Sequence, residues 1–239
     1  MRIVIAGPPK SGNVWLKCLL ASTYGIRVLG PGAVPPRPEL PLLLEWLNGN
    51  GFPDGSIFHQ HFDYSHELAD QFAAVPAHLI TIVRDPYDAF VSSYYALQTR
   101  VDTGQRGGRK IDLLFGKPLD SPEVYHYLRA GGSRRNLVVA RDWIQSGRSH
   151  VVRYEQLHAD PAAALKRLTD DILPVPETRL GLAIDAWSAD NMRKMGGDLA
   201  RHVRTATVGE SREKLTGHHL AIFRELHAGL IQEMGYQVR

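Results

Sequence analysis

The sequence has almost no cysteine, the residue whose disulfides are typical of proteins outside a reducing compartment. It has one cysteine in 239 residues, Cys18, so an internal disulfide is impossible and we expect a cytoplasmic location. No apolar run approaches the about 18 residues of a membrane-spanning helix. No secretory leader precedes the first apolar run, Arg2 to Ala6. These absences predict a globular chain without a membrane span.

The sequence also lacks a strong excess of charge of either sign. Lys and Arg number 28 against 25 Asp and Glu, which gives a net charge of +3. That charge suits an anionic ligand but is too small to indicate a nucleic-acid partner, so we expect none. Hydrophobic residues make up 44% of the chain, enough for a full core, and the length predicts a single domain over residues 1–239.

Apolar, β-branched runs alternate with helical patterns along the chain. The predicted strands are Arg2 to Ala6, Ser56 to Phe62, His78 to Val83 and His150 to Tyr154. Strands that alternate with helices predict an α/β fold, in which helices cover both faces of a parallel sheet. A ligand is then expected at the carboxyl ends of the strands.

Helix starts and stops are marked by familiar capping residues. We predict a first helix from Asn13 to Tyr24, a helix capped by Ser65, and another that starts at Pro86. One helix is predicted from Glu155 to about Asp170. A final helix is predicted from Gly217 to Met234, and its opening pair His218-His219 is expected to be solvated. Loops are expected at the proline-rich Gly30 to Pro41 and at the basic stretch Thr103 to Lys110.

The stretch from Gly7 to Trp15 has the pattern of an anion-binding loop. It follows a strand, turns at Pro9-Lys10-Ser11-Gly12, and opens a helix at Asn13. Unpaired N–H groups and the helix dipole attract a phosphate there, while Lys10 adds a full charge and Ser11 a hydroxyl donor. The spacing differs from the nucleotide-triphosphate loop G-x-x-x-x-G-K-[ST]. A surface turn with a solvated Lys10 is the alternative.

A second candidate site runs from Arg84 to Ser92. Arg84 ends an apolar strand, and Ser92 lies about two helical turns beyond Pro86. A guanidinium fork and a hydroxyl group are suited to holding an isolated phosphate. In the alternative interpretation, Arg84 pairs with a nearby aspartate, Asp85 or Asp88, and Ser92 is an ordinary helix-surface residue.

Two histidines, His59 and His61, flank Gln60 in the second predicted strand. Residues two apart in a strand point to the same face, so both side chains could reach one cleft. An imidazole exchanges protons near neutral pH, which suits a general base. A metal pair is one alternative, although no third ligand is evident nearby. A pair of half-buried structural histidines is the other.

The first two candidate sites resemble the nucleotide-binding motifs of the sulfotransferases. Pro9 to Trp15 resembles their 5′-phosphosulfate loop, P-K-[SA]-G-[TN]-[TS]-W. Arg84 to Ser92 matches every fixed position of their 3′-phosphate motif, R-[ND]-P-x-D-x-x-x-S. In addition, Arg153 to Leu157 resembles R-Y-E-D-L, and Trp187 to Arg193 resembles S-F-x-x-M-[RK].

A late segment, Arg204 to Arg212, resembles the family's phosphate-closing loop R-K-G-x-x-G-x-W-K only in part. Arg204 and Gly209 fit the pattern. Ala206 replaces the first glycine and Ser211 replaces the tryptophan.

The resemblance implies a sulfotransferase that uses 3′-phosphoadenosine 5′-phosphosulfate (PAPS) as co-substrate. It implies a P-loop-like three-layer fold around a parallel sheet of four or five strands, and no metal ion. The acceptor would be a hydroxyl group of a small molecule, while the oligomeric state stays open.

The resemblance also implies a role for each candidate residue. Lys10 and His61 are the catalytic candidates: His61 as general base and Lys10 at the leaving oxygen. The nucleotide-binding candidates are Lys10, Ser11, Gly12, Asn13, Val14 and Trp15, followed by Arg84, Ser92, Tyr154 and Arg204. Trp15 and Tyr154 would lie near the adenine, and Arg84, Ser92 and Arg204 would hold the 3′-phosphate. His59 and Tyr95 are weaker candidates for contact with the acceptor.

Two other functions use the same sequence features. A small-molecule kinase of the P-loop class would need a Mg²⁺ ligand and a differently spaced lysine. A non-catalytic nucleotide-binding protein on the same fold would bind the nucleotide without transferring any group.

Overall fold

A parallel five-stranded sheet forms the centre of the molecule. The computed structural model describes residues 1–30, 33–34, 40–100 and 113–239. The strands are β1 (Arg2–Ala6), β2 (Arg27–Val28), β3 (Ser56–Gln60), β4 (Ala77–Val83) and β5 (His150–Arg153). Their order across the sheet is β2-β3-β1-β4-β5, and every pairing is parallel. All four predicted strands are confirmed, whereas the exposed two-residue β2 is too short to show a periodic pattern.

Helices connect the strands and extend the chain beyond them. The first half contains α1 (Asn13–Tyr24), α2 (Leu40–Asn48), α3 (His66–Ala74), α4 (Pro86–Arg100), α5 (Pro122–Arg129) and α6 (Arg134–Ser146). The second half contains α7 (Tyr154–Ala159), α8 (Pro161–Ile172), α9 (Glu177–Ala186), α10 (Ala189–Met195), α11 (Gly197–His202), α12 (Ser211–Lys214) and α13 (Gly217–Glu233).

The alternation of side chains along β1 divides the core into two layers. Ile3 and Ile5 face one side, where they pack with residues of α1, α8 and α9. Val4 and Ala6 face the other side, where they pack with residues of α2, α3 and α6. Every one of these four side chains is fully buried. The predicted three-layer α/β fold is therefore confirmed.

Two local predictions were wrong. The helix expected from Glu155 to about Asp170 is two helices, because Asp160 leaves the helical conformation and its side chain caps α8 by accepting a hydrogen bond from the Ala163 N–H at 2.9 Å. His219 is fully buried rather than solvated. Its Nδ1 accepts a hydrogen bond from the Thr216 N–H, and its Nε2 lies 2.9 Å from the Leu119 carbonyl oxygen, so the imidazole joins α13 to the segment before α5.

Some expectations fall wholly or partly outside the residues described. The basic stretch Thr103 to Lys110 lies outside them, as do 31–32 and 35–39 of the proline-rich stretch. Within the described part of the chain, no helix has the length and apolar character needed to cross a membrane. The assignment of residues 1–239 to one domain stays a prediction.

The register of the sheet brings the chemistry-bearing segments to one edge. Ala6 of β1 pairs with Gln60 of β3, so Gly7 lies beside His61. Val83 of β4 pairs with Arg153 of β5, so Arg84 lies beside Tyr154. The carboxyl ends of four neighbouring strands thus meet where a ligand is expected in an open parallel sheet.

Buried histidines should make the fold sensitive to acid. Burial lowers the pKa of His219 and of His227, which packs 5.8 Å from the Phe223 ring inside α13. Near pH 6 the unfolded chain then binds more protons than the folded one, so stability is retained above the ordinary histidine pKa and is lost as the pH falls. We expect the free energy of unfolding to drop between pH 7.5 and 5.5, by up to about 1.4 kcal/mol per pH unit for each such histidine.

Urea titrations at the two pH values would measure this drop. In His227→Leu it should be smaller than in the wild type, because one buried titrating group is gone. His126→Leu, which changes an exposed histidine of α5, is the matched control and should keep the wild-type drop. An identical drop in wild type and His227→Leu would contradict the assignment.

Candidate active site

The loop between β1 and α1 has a tight, locally closed backbone. Lys10 has a φ of 65° and Gly12 a φ of 100°, so the chain turns twice before it enters α1. Asn13 Nδ2 donates a hydrogen bond to the Pro8 carbonyl at 2.8 Å and thereby closes the loop. Ser11 is 1% exposed. The first N–H groups of α1 are therefore held at the carboxyl edge of the sheet, as an anion-binding loop requires.

Two constraints require a glycine at position 12. Its φ lies in the left-handed region, which side chains disfavour. A Cβ atom at this position would also lie 2.7 Å from Cδ2 of Tyr154. The loop can therefore pack against the Tyr154 ring only because residue 12 has no side chain.

Arg84 packs against the same ring. Its guanidinium carbon lies 4.3 Å from the centre of the Tyr154 ring, a cation–π contact. Nη2 donates to the Thr207 carbonyl at 2.8 Å and lies 3.9 Å from the Asp88 carboxylate. Within the part of the chain that the structure describes, the buried Nε has no hydrogen-bond partner. Arg84 and Asp88 are thus paired by charge, as the alternative interpretation expects, but their 3.9 Å separation is too long for a hydrogen bond.

The two phosphate-binding candidates open to one cleft. Ser11 and Arg84 both line it. Its other walls are mostly apolar and come from the loop before Lys10, from α4 and from α6: Pro8, Pro9, Pro86, Ala89, Phe90, Tyr94, Leu97, Leu137 and Ala140.

Trp15 and Tyr154 form an aromatic corner beside the loop. Their ring centres lie 6.1 Å apart in an edge-to-face arrangement. Trp15 Nε1 donates to the Trp187 carbonyl at 2.9 Å, which holds the indole against the segment that opens α10. Burial raises the pKa of Tyr154, although the nearby Arg84 charge acts in the opposite direction. The Tyr154 phenol is therefore neutral at physiological pH.

Arg204 is engaged within its own segment. Both of its Nη atoms bind the Glu210 carboxylate, and its guanidinium lies 4.3 Å from the centre of the Tyr95 ring. These hydrogen bonds lower the pKa of Glu210. The Tyr95 ring, a weak candidate for acceptor contact, thus packs against Arg204. Ser92 is half-buried on α4.

The replacement of glycine by Ala206 has a visible conformational cost. Ala206 has a φ of 52°, in the left-handed region, and Gly209 has a φ of 88°. A left-handed non-glycine residue costs roughly 1–2 kcal/mol. The backbone at residue 206 therefore has a left-handed conformation, which glycine adopts more easily, although the residue is alanine.

His59 and His61 lie side by side, as the strand spacing predicts. Their ring centres are 5.9 Å apart. Nδ1 of His61 lies 2.9 Å from the carbonyl oxygen of Gly7. Because a carbonyl can only accept a hydrogen bond, Nδ1 carries the proton, and Nε2 is the proton acceptor of the neutral ring. Among the described residues, no group of three or more His, Cys, Asp or Glu side chains could hold a metal ion.

Three residues of this region make hydrogen bonds that connect the candidate segments, and they were not among the site candidates. The Asp88 carboxylate accepts hydrogen bonds from two backbone N–H groups of the late segment, Gly209 at 2.6 Å and Ser211 at 2.9 Å. Glu210 holds Arg204, and Arg239 reaches Asp85. Asp88 is a fixed position of the Arg84 motif and could have been singled out. No motif marks Glu210 or Arg239.

The fold is shared with solved sulfotransferases. A crystal structure of the mouse sulfotransferase SULT7A1 complexed with PAP superposes with a TM-score of 0.70 at 16% identity, covering 97% of this chain and 84% of that one. Retinol dehydratase in complex with retinol and PAP gives a TM-score of 0.62 at 12% identity, covering 100% and 84%. Its complex with androsterone and PAP gives 0.59 at 14% identity, covering 100% and 83%.

A family model matches part of the chain, whereas a comparison with curated proteins found no match. Residues 58–172 match the model described as the Sulfotransferase family. The matched range contains His59 and His61, the Arg84 motif and Tyr154, and the loop at Lys10 lies before it. Over these residues the chain is similar to the sulfotransferase family.

Proposed function

We propose that the chain transfers a sulfuryl group from PAPS to the hydroxyl group of a small molecule. One observation carries the proposal: the Gly12 loop and Arg84 pack against the same Tyr154 ring, so two anion-binding sites flank one ring. A nucleotide with phosphate groups at both its 5′ and 3′ positions fits such a pair of sites. The match of residues 58–172 to the sulfotransferase family model supports the same activity.

The 5′-phosphosulfate would lie on the loop between β1 and α1. Backbone N–H groups from Gly12, Asn13 and Val14 would donate to it, together with the Ser11 hydroxyl and the Lys10 ammonium. Trp15 and Tyr154 would border the adenine.

The 3′-phosphate would be held by Arg84, Ser92 and Arg204. The unpartnered Nε of buried Arg84 supplies a donor for it. Arg204 can keep Glu210 and still contact the phosphate, because a guanidinium has five N–H donors and Glu210 takes two of them. Bidentate guanidinium contacts favour a phosphate over a neutral ribose hydroxyl.

His61 would act as the general base. Its Nδ1–H is held by the Gly7 carbonyl, so Nε2 takes the proton of the acceptor hydroxyl. The acceptor oxygen then forms a bond to sulfur, and the bond between sulfur and the bridging phosphate oxygen breaks. Lys10 stabilises the negative charge that grows on that bridging oxygen. The products are the sulfated acceptor and adenosine 3′,5′-bisphosphate (PAP), with the proton on His61.

The acceptor would bind beside the loop between β1 and α1, with its hydroxyl directed towards His61. Two neighbouring structures are solved with retinol or androsterone, which supports a small-molecule acceptor. The half-buried His59 would border that hydroxyl. A cytoplasmic location fits the buried thiol of Cys18, which has no disulfide partner.

A transfer assay tests the activity directly. We expect the purified protein, in the presence of EDTA, to move radiolabelled sulfate from PAPS to at least one member of a panel of phenols, sterols and other apolar alcohols. Binding of PAP without transfer to any acceptor would indicate a non-catalytic nucleotide-binding protein. Transfer of the γ-phosphate of ATP, dependent on Mg²⁺, would indicate a kinase.

Replacing the proposed base should separate catalysis from binding. In His61→Ala we expect the turnover number to fall by about 10²- to 10⁴-fold, because the proton acceptor is gone. PAP affinity, measured by calorimetry, should stay within about twofold of the wild type, since no phosphate contact is assigned to His61. His126→Ala, at an exposed histidine, is the control and should leave both values unchanged. Unchanged turnover in His61→Ala would remove His61 from this role.

A further inference from the structure

Two parts of the proposed 3′-phosphate site come from distant parts of the sequence. Arg84 follows β4 and Ser92 lies on α4, while Arg204 belongs to the segment before α12. A single phosphate can contact all three only if the late segment is held in register with the start of α4. The contacts that fix this register therefore determine how well the site is formed before the nucleotide arrives.

The first contact between the late segment and the start of α4 is made by the Asp88 carboxylate, which is 2% exposed. It accepts from the Gly209 and Ser211 N–H groups, and Arg84 Nη2 donates to the Thr207 carbonyl. The backbone from 207 to 211 is thus bound directly to the Arg84 motif. Asp88 also lies within 3.9 Å of Arg84, so a substitution there would disturb the binding residue itself.

The second contact between the late segment and the start of α4 is made by Arg239, which follows α13. Its Nη2 donates to Asp85 Oδ1 at 2.8 Å and to Ser211 Oγ at 2.9 Å. Its guanidinium lies 4.0 Å from the centre of the Tyr87 ring, and its backbone N–H donates to the Tyr87 hydroxyl at 2.9 Å. One side chain therefore joins the first turn of α4 to the late segment.

Asp85 is the residue through which Arg239 acts on α4. Its carboxylate accepts the N–H groups of Tyr87 and Asp88 and so caps the helix. Its own N–H donates to the Glu155 carboxylate at 2.7 Å, and Glu155 follows Tyr154. A shift of Asp85 would move the start of α4, and with it the position of Arg84.

We infer that Arg239 is a positioning residue for the 3′-phosphate, because its guanidinium ties Asp85 at the start of α4 to Ser211 of the segment that carries Arg204. It acts through Asp85 and Ser211 on residues that touch the nucleotide. The inference rests on the proposed function, since it assumes that the nucleotide carries a 3′-phosphate. Without Arg239, the late segment loses one of its attachments to the start of α4. The bound phosphate must then restore the register, which lowers the affinity.

Calorimetry with two nucleotides tests this role in the full chain. PAP and adenosine 5′-phosphate differ only in the 3′-phosphate. In Arg239→Gln we expect PAP to bind about tenfold more weakly, while adenosine 5′-phosphate binds as it does to the wild type. In Ser211→Ala, which removes one of the two acceptors, we expect a smaller loss that is again confined to PAP. In the double variant the two losses should be less than additive, because both substitutions break the same hydrogen bond.

The matched control is Arg129→Gln, which removes an exposed guanidinium paired with Glu225 and should change neither affinity. Wild-type PAP affinity in Arg239→Gln would overturn the positioning role. An equal loss for both nucleotides would overturn it as well, because it would show a general effect on the fold. Absence of PAP binding in the wild type would instead overturn the proposed function, and this inference with it.

Discussion

The packing of the Tyr154 ring between Gly12 and Arg84 is the contact on which the rest of the site depends. It follows from strand register, because Val83 pairs with Arg153 and the next residue of each strand leaves the sheet at the same edge. The ring is 7% exposed, so it is part of the core as well as of the cleft wall. The absence of a side chain at residue 12 lets the loop approach the ring closely as well. Sheet pairing thus sets the spacing of the two anion-binding motifs before any ligand is present.

Around this ring, the charged side chains make hydrogen bonds to other groups of the protein. Asp85 and Asp88 each accept backbone N–H groups, and Arg84 and Arg204 have carbonyl or carboxylate partners. Burial raises the pKa of Asp85, while the Asp88 amide and Arg239 act in the opposite direction. A buried carboxylate that keeps its charge needs such partners. The network fixes cationic groups near the cleft, where a multiply charged nucleotide can replace water with preformed contacts.

Local signals in the sequence were enough for the sheet and for much of the candidate site. The strands β1 and β4 are largely apolar runs, followed by Gly7 and Arg84. His61 follows the last residue of β3, and its ring lies 5.9 Å from that of His59, close to the arrangement that a two-residue strand period predicts. Contacts that depend on tertiary packing could not be read in this way. The burial of His219 depends on the carbonyl of Leu119, a hundred residues away, and the placement of Arg239 depends on where α13 ends against α4. Periodicity carries no information on such pairs.

The central claim is that two motifs hold opposite ends of one doubly phosphorylated nucleotide without a metal ion. The most direct measurement is a calorimetric titration of the wild-type protein in EDTA with PAP, adenosine 5′-phosphate and adenosine 3′-phosphate. The account predicts that PAP binds at least tenfold more tightly than either monophosphate, because only PAP fills both sites. Equal affinities for PAP and one monophosphate, or binding that appears only for ATP with Mg²⁺, would contradict it.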